Sequence, residues 1–233
     1  MKLRAVIIDM DGTITRFNID YLGMRRAALA ELDNMNLRTP ELTEQLNLYI
    51  ILQTVRIGLD AQTYEKLRER LYARLENMEI KAAQEVMLYP GVEETLRELR
   101  NRDIKIGLVT NNGRAGTNLT LNRFRLKALF DAVVTRDDCK EMKPDAAPVR
   151  QVLAELNSRA EEAILVGDGV MDIIAAKAAG LRSVAVATGP SGIDRLLQTE
   201  PDYVLGSIND LQKLIDILDS EAGQKAANTN VLP

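Results

Sequence analysis

Ala5-Val6-Ile7-Ile8 runs directly into Asp9-Met10-Asp11-Gly12-Thr13. An apolar run without alternation reads as a strand buried on both faces, the pattern of a parallel sheet. It stops on two carboxylates two residues apart. Bare carboxylates at the end of a hydrophobic strand are costly unless a metal or hydrogen bonds compensate them. Residues two apart in an extended chain point the same way, so Asp9 and Asp11 can serve one small site. Two close carboxylates among oxygen donors suit a hard cation such as magnesium. The pentapeptide alone also fits an Asp-rich turn after a strand, so the reading depends on what the other strand ends supply.

Composition narrows the chemistry. The chain has 233 residues, 46% of them hydrophobic and 27% charged, enough for one large domain with an insertion or for two smaller ones. A net charge of −4 without a basic block argues against nucleic-acid binding as the main task. No apolar run reaches the length of a membrane span, and the first residues enter a strand instead of a signal-peptide pattern, so a cytoplasmic location is expected. The single Cys139 has neither a Cys nor a His partner, and the chain contains no His at all. That removes Ser-His-Asp and Cys-His catalysis and His-based zinc sites. Acid–base work falls to carboxylates, Lys, Tyr or Cys, which moves weight toward Asp9 and Asp11.

Beyond Thr15 the pattern turns helical. Leu22, Leu29, Leu32 and Met35 mark a first amphipathic helix. Thr39-Pro40-Glu41 reads as the start of a second, carrying Leu42, Leu46, Ile50 and Val55, with Gly58 ending it. Asp60 caps a third, on which Tyr64, Leu67, Leu71, Leu75 and Met78 recur at spacings of three and four. Residues 16–87 are thus expected to form a helical domain inserted between two parts of a core, 1–15 and 88–220. From Tyr89-Pro90-Gly91 onward, strands and helices alternate. Strands are expected at Ile104–Val109, Ala132–Thr135, Ala163–Val166, Ser183–Ala187 and Tyr203–Leu205, with helices between them. Lys143-Pro144-Asp145 opens one of these helices, Ile208–Leu218 is the last, and 221–233 is expected to be a flexible tail. This order predicts an α/β fold, a doubly wound Rossmann-like parallel sheet with an inserted α-helical cap domain.

Ligands of such sheets bind at the carboxyl ends of the strands. There the sequence places Asp9 and Asp11, then Thr110 and Asn111, then Lys140 and Lys143, then Asp168 and Asp172. Asp9-Met10-Asp11-Gly12-Thr13, Thr110-Asn111, Lys143-Pro144 and Gly167-Asp168-Gly169-Val170-Met171-Asp172, in that order, resemble the motifs of the haloacid dehalogenase superfamily of phosphohydrolases. The helical insertion resembles the small cap of its phosphoglycolate phosphatase and phosphomutase branch.

The resemblance implies roles. Asp9 is the nucleophile that forms an aspartyl-phosphate, and Asp11 protonates the leaving alkoxide and then activates water. Thr110 and Asn111 bind the phosphoryl group, and Lys143 places a positive charge beside it. Mg2+ is held by Asp9, Asp168 and the main-chain carbonyl of Asp11, with Asp172 binding it directly or through water. Taken singly, the residues have plainer readings. Thr110 is a strand-end hydroxyl, Lys140 and Lys143 are solvated lysines, and Asp172 is a first-turn helix acid. Aspartate at position 11 implies an alkoxide leaving group, because a halide needs no proton. The expected partner is a small phosphorylated metabolite, phosphoglycolate first, acted on by a monomer or homodimer. Arg114 is a candidate for a second anionic group of the substrate. Phe17, Tyr21, Arg25, Arg26, Tyr49 and Arg56 are candidate cap contacts. A sugar-phosphate mutase and a non-catalytic phospho-ligand-binding protein remain open as alternatives.

Overall fold

The computed structural model describes residues 3–229. Its centre is a six-stranded sheet in the order β3-β2-β1-β4-β5-β6, parallel throughout. The strands are β1 (Ala5–Ile8), β2 (Lys105–Val109), β3 (Ala132–Val134), β4 (Ala163–Gly167), β5 (Arg182–Val186) and β6 (Tyr203–Leu205). All four residues of β1 are at 0% exposure, as a central strand covered on both faces requires. Ile7 pairs with Gly107 on one side and Leu165 on the other.

Alternate side chains feed two cores. Val6 and Ile8 join Ile106, Leu108, Ile164 and Val166 beneath helices α4 (Val92–Asn101) and α9 (Leu211–Thr229). Ala5 and Ile7 join Val109, Val134 and Leu165 beneath α6 (Ala147–Glu155) and α7 (Val170–Ala179). The two-residue period of a strand thus produces the two layers.

The chain divides into two compact units, one comprising 1–17, 86–111 and 121–233, the other 18–85 and 112–120. The second unit contains α1 (Tyr21–Asn34), α2 (Leu48–Ile57), α3 (Ala61–Glu85) and the start of α5 (Arg114–Arg123). Leu29, Leu32, Leu42, Ile51, Val55 and Leu67 form its core. No helix among the described residues is long and apolar enough to cross a membrane.

Local structure departs from the sequence expectation at four places. Thr39-Pro40-Glu41 does not open a helix. It makes a turn closed by Leu42 N–H on the Thr39 carbonyl at 3.1 Å, and α2 starts after Asn47, whose side chain accepts from Ile50 N–H at 2.8 Å. Asn is the stronger N-cap of the two, and it takes the start. Lys143-Pro144-Asp145 likewise precedes its helix, since α6 begins at Ala147 with Asp145 Oδ1 accepting from the Ala147 N–H at 2.7 Å. A short α8 (Ile193–Leu197) is too brief for a periodic signal. Finally, α9 runs to Thr229 instead of ending near Leu218, because Glu-Ala-Gly-Gln-Lys-Ala-Ala is rich in strong helix formers. Residues 230–233 of the expected tail lie outside the described residues.

Candidate active site

The strand order reverses direction between β1 and β4, since the chain runs outward from β1 to β3 and then returns to the other side. Crevices at such switch points are the usual ligand sites of open α/β sheets. Asp9 follows the last residue of β1 and its N–H donates to the Val166 carbonyl of β4 at 2.9 Å. Asp168 follows the last residue of β4. Sheet pairing therefore brings together two carboxylates far apart in sequence.

Lys143 enters this cluster from the loop before α6 and is 3% exposed. Its ammonium donates to Asp9 Oδ1 at 2.5 Å, to Asp172 Oδ1 at 2.6 Å and to the Val109 carbonyl at 3.0 Å. All three ammonium donors are thus used, the condition under which a buried charge is tolerated. Burial pulls the Lys143 pKa down, but Asp172 and Asp9 outweigh it and hold it above the ordinary value. Lys140, by contrast, is exposed.

Asp172, in the first turn of α7, is 4% exposed and has both oxygens engaged. Oδ1 accepts from Lys143, and Oδ2 accepts from the Gly169 N–H at 3.0 Å. Asp168 Oδ1 accepts from the Thr13 hydroxyl at 3.3 Å. Two glycines make room for the Asp168 carboxylate. A side-chain carbon on Gly12, which has φ +88°, or on Gly189 would collide with it.

Ligand oxygens of Asp9, Asp168 and Asp172 lie within 4.8 Å of one another, and all three residues are buried. Three carboxylates face one ammonium, an excess of negative charge that fits a divalent cation. The titration directions agree. Burial raises Asp9 well above the usual carboxylate range; Lys143 opposes that shift, and Asp172 and Asp168 add to it. Burial and then Asp172 push Asp168 up to about 7. Burial and mutual repulsion exceed what the single Lys143 ammonium offsets, and a hard oxygen-seeking cation such as Mg2+ would supply the further positive charge. Asp9 and Asp168 fit as ligands, while Asp172 is also committed to Lys143 and Gly169.

The other candidates are placed less centrally. Asp11 is half-buried, and its carboxylate Oδ1 takes the Thr15 hydroxyl at 3.2 Å, outside the three-acid group. Thr110 follows the last residue of β2, is 4% exposed, and its N–H donates to the Val134 carbonyl at 3.1 Å. The Asn111 side chain turns to the backbone of Lys143. Arg114 opens α5 and is exposed. Arg26 pairs with Glu44 at 2.7 Å, Arg25 donates to the Glu44 carbonyl at 3.3 Å, and Arg56 lies over the Tyr64 ring at 5.6 Å, so these three bond within the helical unit. Cys139 is half-buried and donates to Gln151 Oε1 at 2.9 Å; burial raises its thiol pKa.

Sequence reasoning missed the loop after β5. Thr188 Oγ1 donates to the Gly12 carbonyl at 2.5 Å, and Tyr89 OH donates to the Thr188 carbonyl at 2.6 Å. These bonds tie Gly189 down beside Asp168. The available signal was Thr188-Gly189-Pro190-Ser191-Gly192, a glycine-rich turn at a fifth strand end.

The model of the haloacid dehalogenase-like hydrolases matches residues 6–186, and the chain belongs to that family. Pyrophosphatase PpaX of Halalkalibacterium halodurans is 28% identical over 225 residues, covering 93% of this chain and 99% of that protein. Pyrophosphatase PpaX of Bacillus velezensis is 42% identical over 123 residues, and this match spans 53% of the chain and only 57% of the relative. A hydrolase from Pseudomonas syringae has the same fold, with a TM-score of 0.68 at 22% identity, covering 91% of this chain and 98% of that one.

Proposed function

We infer that the chain is a magnesium-dependent phosphatase that hydrolyses a small phosphate monoester through an aspartyl-phosphate on Asp9. The observation that carries this reading is the buried Asp9 carboxylate, ion-paired to Lys143 and grouped with Asp168 and Asp172 at the strand-order reversal. An Asp9 oxygen forms a bond to phosphorus while the bond from phosphorus to the leaving oxygen breaks. Lys143 offsets negative charge on Asp9 and on the transferring group. Bound magnesium supplies the remaining charge neutralisation. Asp11, protonated at the start, gives its proton to the departing alkoxide, then takes one from the water that cleaves the aspartyl-phosphate, releasing phosphate and restoring the Asp9 carboxylate and the Asp11 acid. Thr110, at the adjacent strand end, is the proposed donor to a phosphoryl oxygen.

Phosphoglycolate leads the proposed substrates, a small acid with an alkoxide leaving group. The relatives named pyrophosphatase favour a second reading, inorganic pyrophosphate. The two differ in their demand on Asp11, because departing phosphate is a far weaker base than an alkoxide. Phosphate release should be measured from phosphoglycolate, other alkyl monoesters, an aryl phosphate and pyrophosphate, with magnesium and with chelator. Asp9→Asn should abolish release from all of them. Asp11→Asn should lower the rate on alkyl esters by about 100-fold or more, the usual contribution of a positioned acid, and affect pyrophosphate much less. Release that survives Asp9→Asn, or no release from any member with magnesium, would refute the reading.

A further inference from the structure

Asn111 follows Thr110 at the end of β2, where a phosphate-binding role was expected for it. Its side chain does something else. Asn111 Oδ1 accepts from the Lys143 N–H at 3.0 Å, and Asn111 Nδ2 donates to the Lys143 carbonyl at 3.0 Å. One planar amide thus grips both backbone groups of a single residue, as a neighbouring strand would. Asn has the length, the donor and the acceptor that this needs; Ala and Ser lack at least one of them. The grip is itself anchored, since the main-chain carbonyl of Asn111 accepts from Arg136 Nη1 at 3.2 Å. Arg136 is 3% exposed. A guanidinium that deeply buried must be held by hydrogen bonds, and this one spends a donor on Asn111.

We propose that Asn111, backed by Arg136, is a positioning residue that fixes the backbone of Lys143 so that its ammonium sits between Asp9 and Asp172. The proposal rests on the phosphatase reading for its kinetic consequence but not for its geometry. Lys143 lies in a loop without helix or strand pairing, since α6 starts only at Ala147. Nothing regular in the backbone holds the residue, yet its ammonium makes three bonds of 2.5 to 3.0 Å. A shift of about 1 Å in such a group costs about 100-fold in rate.

The test uses the full chain and two readouts. On the best substrate of the panel, Asn111→Ala should lower kcat about 10- to 100-fold with KM within about twofold, because the ground-state phosphate contact is not what is lost. In a Lys143→Gln background the same substitution should cost less than about twofold, since there is no ammonium left to misplace. A rise in KM at constant kcat would mean that Asn111 contacts the substrate phosphate and would overturn the proposal. So would losses that multiply in the double variant. The second readout needs no activity: the acylation rate of the Lys143 amine, followed by mass spectrometry in metal-free protein. Freed from its grip, Lys143 should label at least about fivefold faster in Asn111→Ala, with Lys140 unchanged as the internal standard. An unchanged rate contradicts the proposal even if the protein proves not to be a phosphatase. Asn111→Ser serves in both readouts if the Ala variant does not fold.

Discussion

Replacing Lys143 by Gln isolates the electrostatics of the site. The substitution removes the ammonium paired with Asp9 and Asp172, at 2.5 and 2.6 Å, from a side chain that is 3% exposed. Removing one partner of a buried ion pair costs about 3–5 kcal/mol, because the other is left desolvated and uncompensated. In a chain of this size each kcal/mol moves Tm by roughly 2–4 °C, so a fall of about 6–20 °C is expected for metal-free protein near pH 8. Asp9 can relieve its part of the penalty by taking up a proton, which burial already favours by raising its pKa. The Tm gap to wild type should therefore narrow near pH 5. Magnesium should narrow it as well, by supplying the missing charge. Differential scanning calorimetry with chelator at both pH values, then with magnesium near pH 8, measures all three. A Tm within about 1 °C of wild type near pH 8 would show that Lys143 is not the charge that holds these carboxylates together. A gap that widens toward pH 5 would reverse the sign of the argument.

Two further outcomes follow from the same cluster. Folded Asp168 titrates at about 7 against an ordinary 3.8, so across that window the folded chain holds a proton that the unfolded chain has lost. Metal-free stability therefore falls as pH rises from about 4 to 7, by at most ~4 kcal/mol from this group. Asp168→Asn should match wild type near pH 4 and exceed it above about pH 7 in calorimetry without metal; an equal difference at both would contradict the assignment. Gly189→Ala puts a methyl group into the Asp168 carboxylate. The variant should lose the Tm increase that magnesium gives wild type, since Asp168 must turn away, and an undiminished magnesium shift would count against Asp168 as a ligand.

The sheet was legible because the first four strands announce themselves and then stop on a polar group, Asp9, Thr110, Thr135 and Asp168. Ala5–Ile8 and Ala163–Gly167 are continuous apolar runs, and a run of that kind has few homes outside a doubly covered parallel sheet. Gly180 marked the end of α7 for a local reason, its φ of +81°. Helix starts were less legible where two caps compete within one segment, as Thr39 and Asn47 do, and the stronger cap, Asn47, takes the start although Thr39 is followed by a proline and an acid. At the site, residue identity pointed to Asp9, Lys143, Asp168 and Asp172, and the fold brings those four side chains together. What the sequence could not supply was the direction of each side chain. Asn111 looks like a phosphate ligand by position, yet its amide is spent on the Lys143 backbone. Asp11 sits two residues from Asp9, but the turn at Gly12 points its carboxylate toward Thr15. Tyr89 and Thr188 meet through a hydrogen bond across 99 residues of sequence, which no local pattern encodes.

The central claim is that phosphoryl groups pass through Asp9. Rapid-quench mixing of the magnesium-loaded enzyme with its best phosphorylated substrate, followed by peptide mass spectrometry, tests it directly. A phosphoryl adduct on the peptide containing Asp9, formed and lost within one turnover and absent from Asp9→Asn, is the predicted result. Phosphate release at full rate with no adduct on that peptide, and undiminished by Asp9→Asn, would contradict the account.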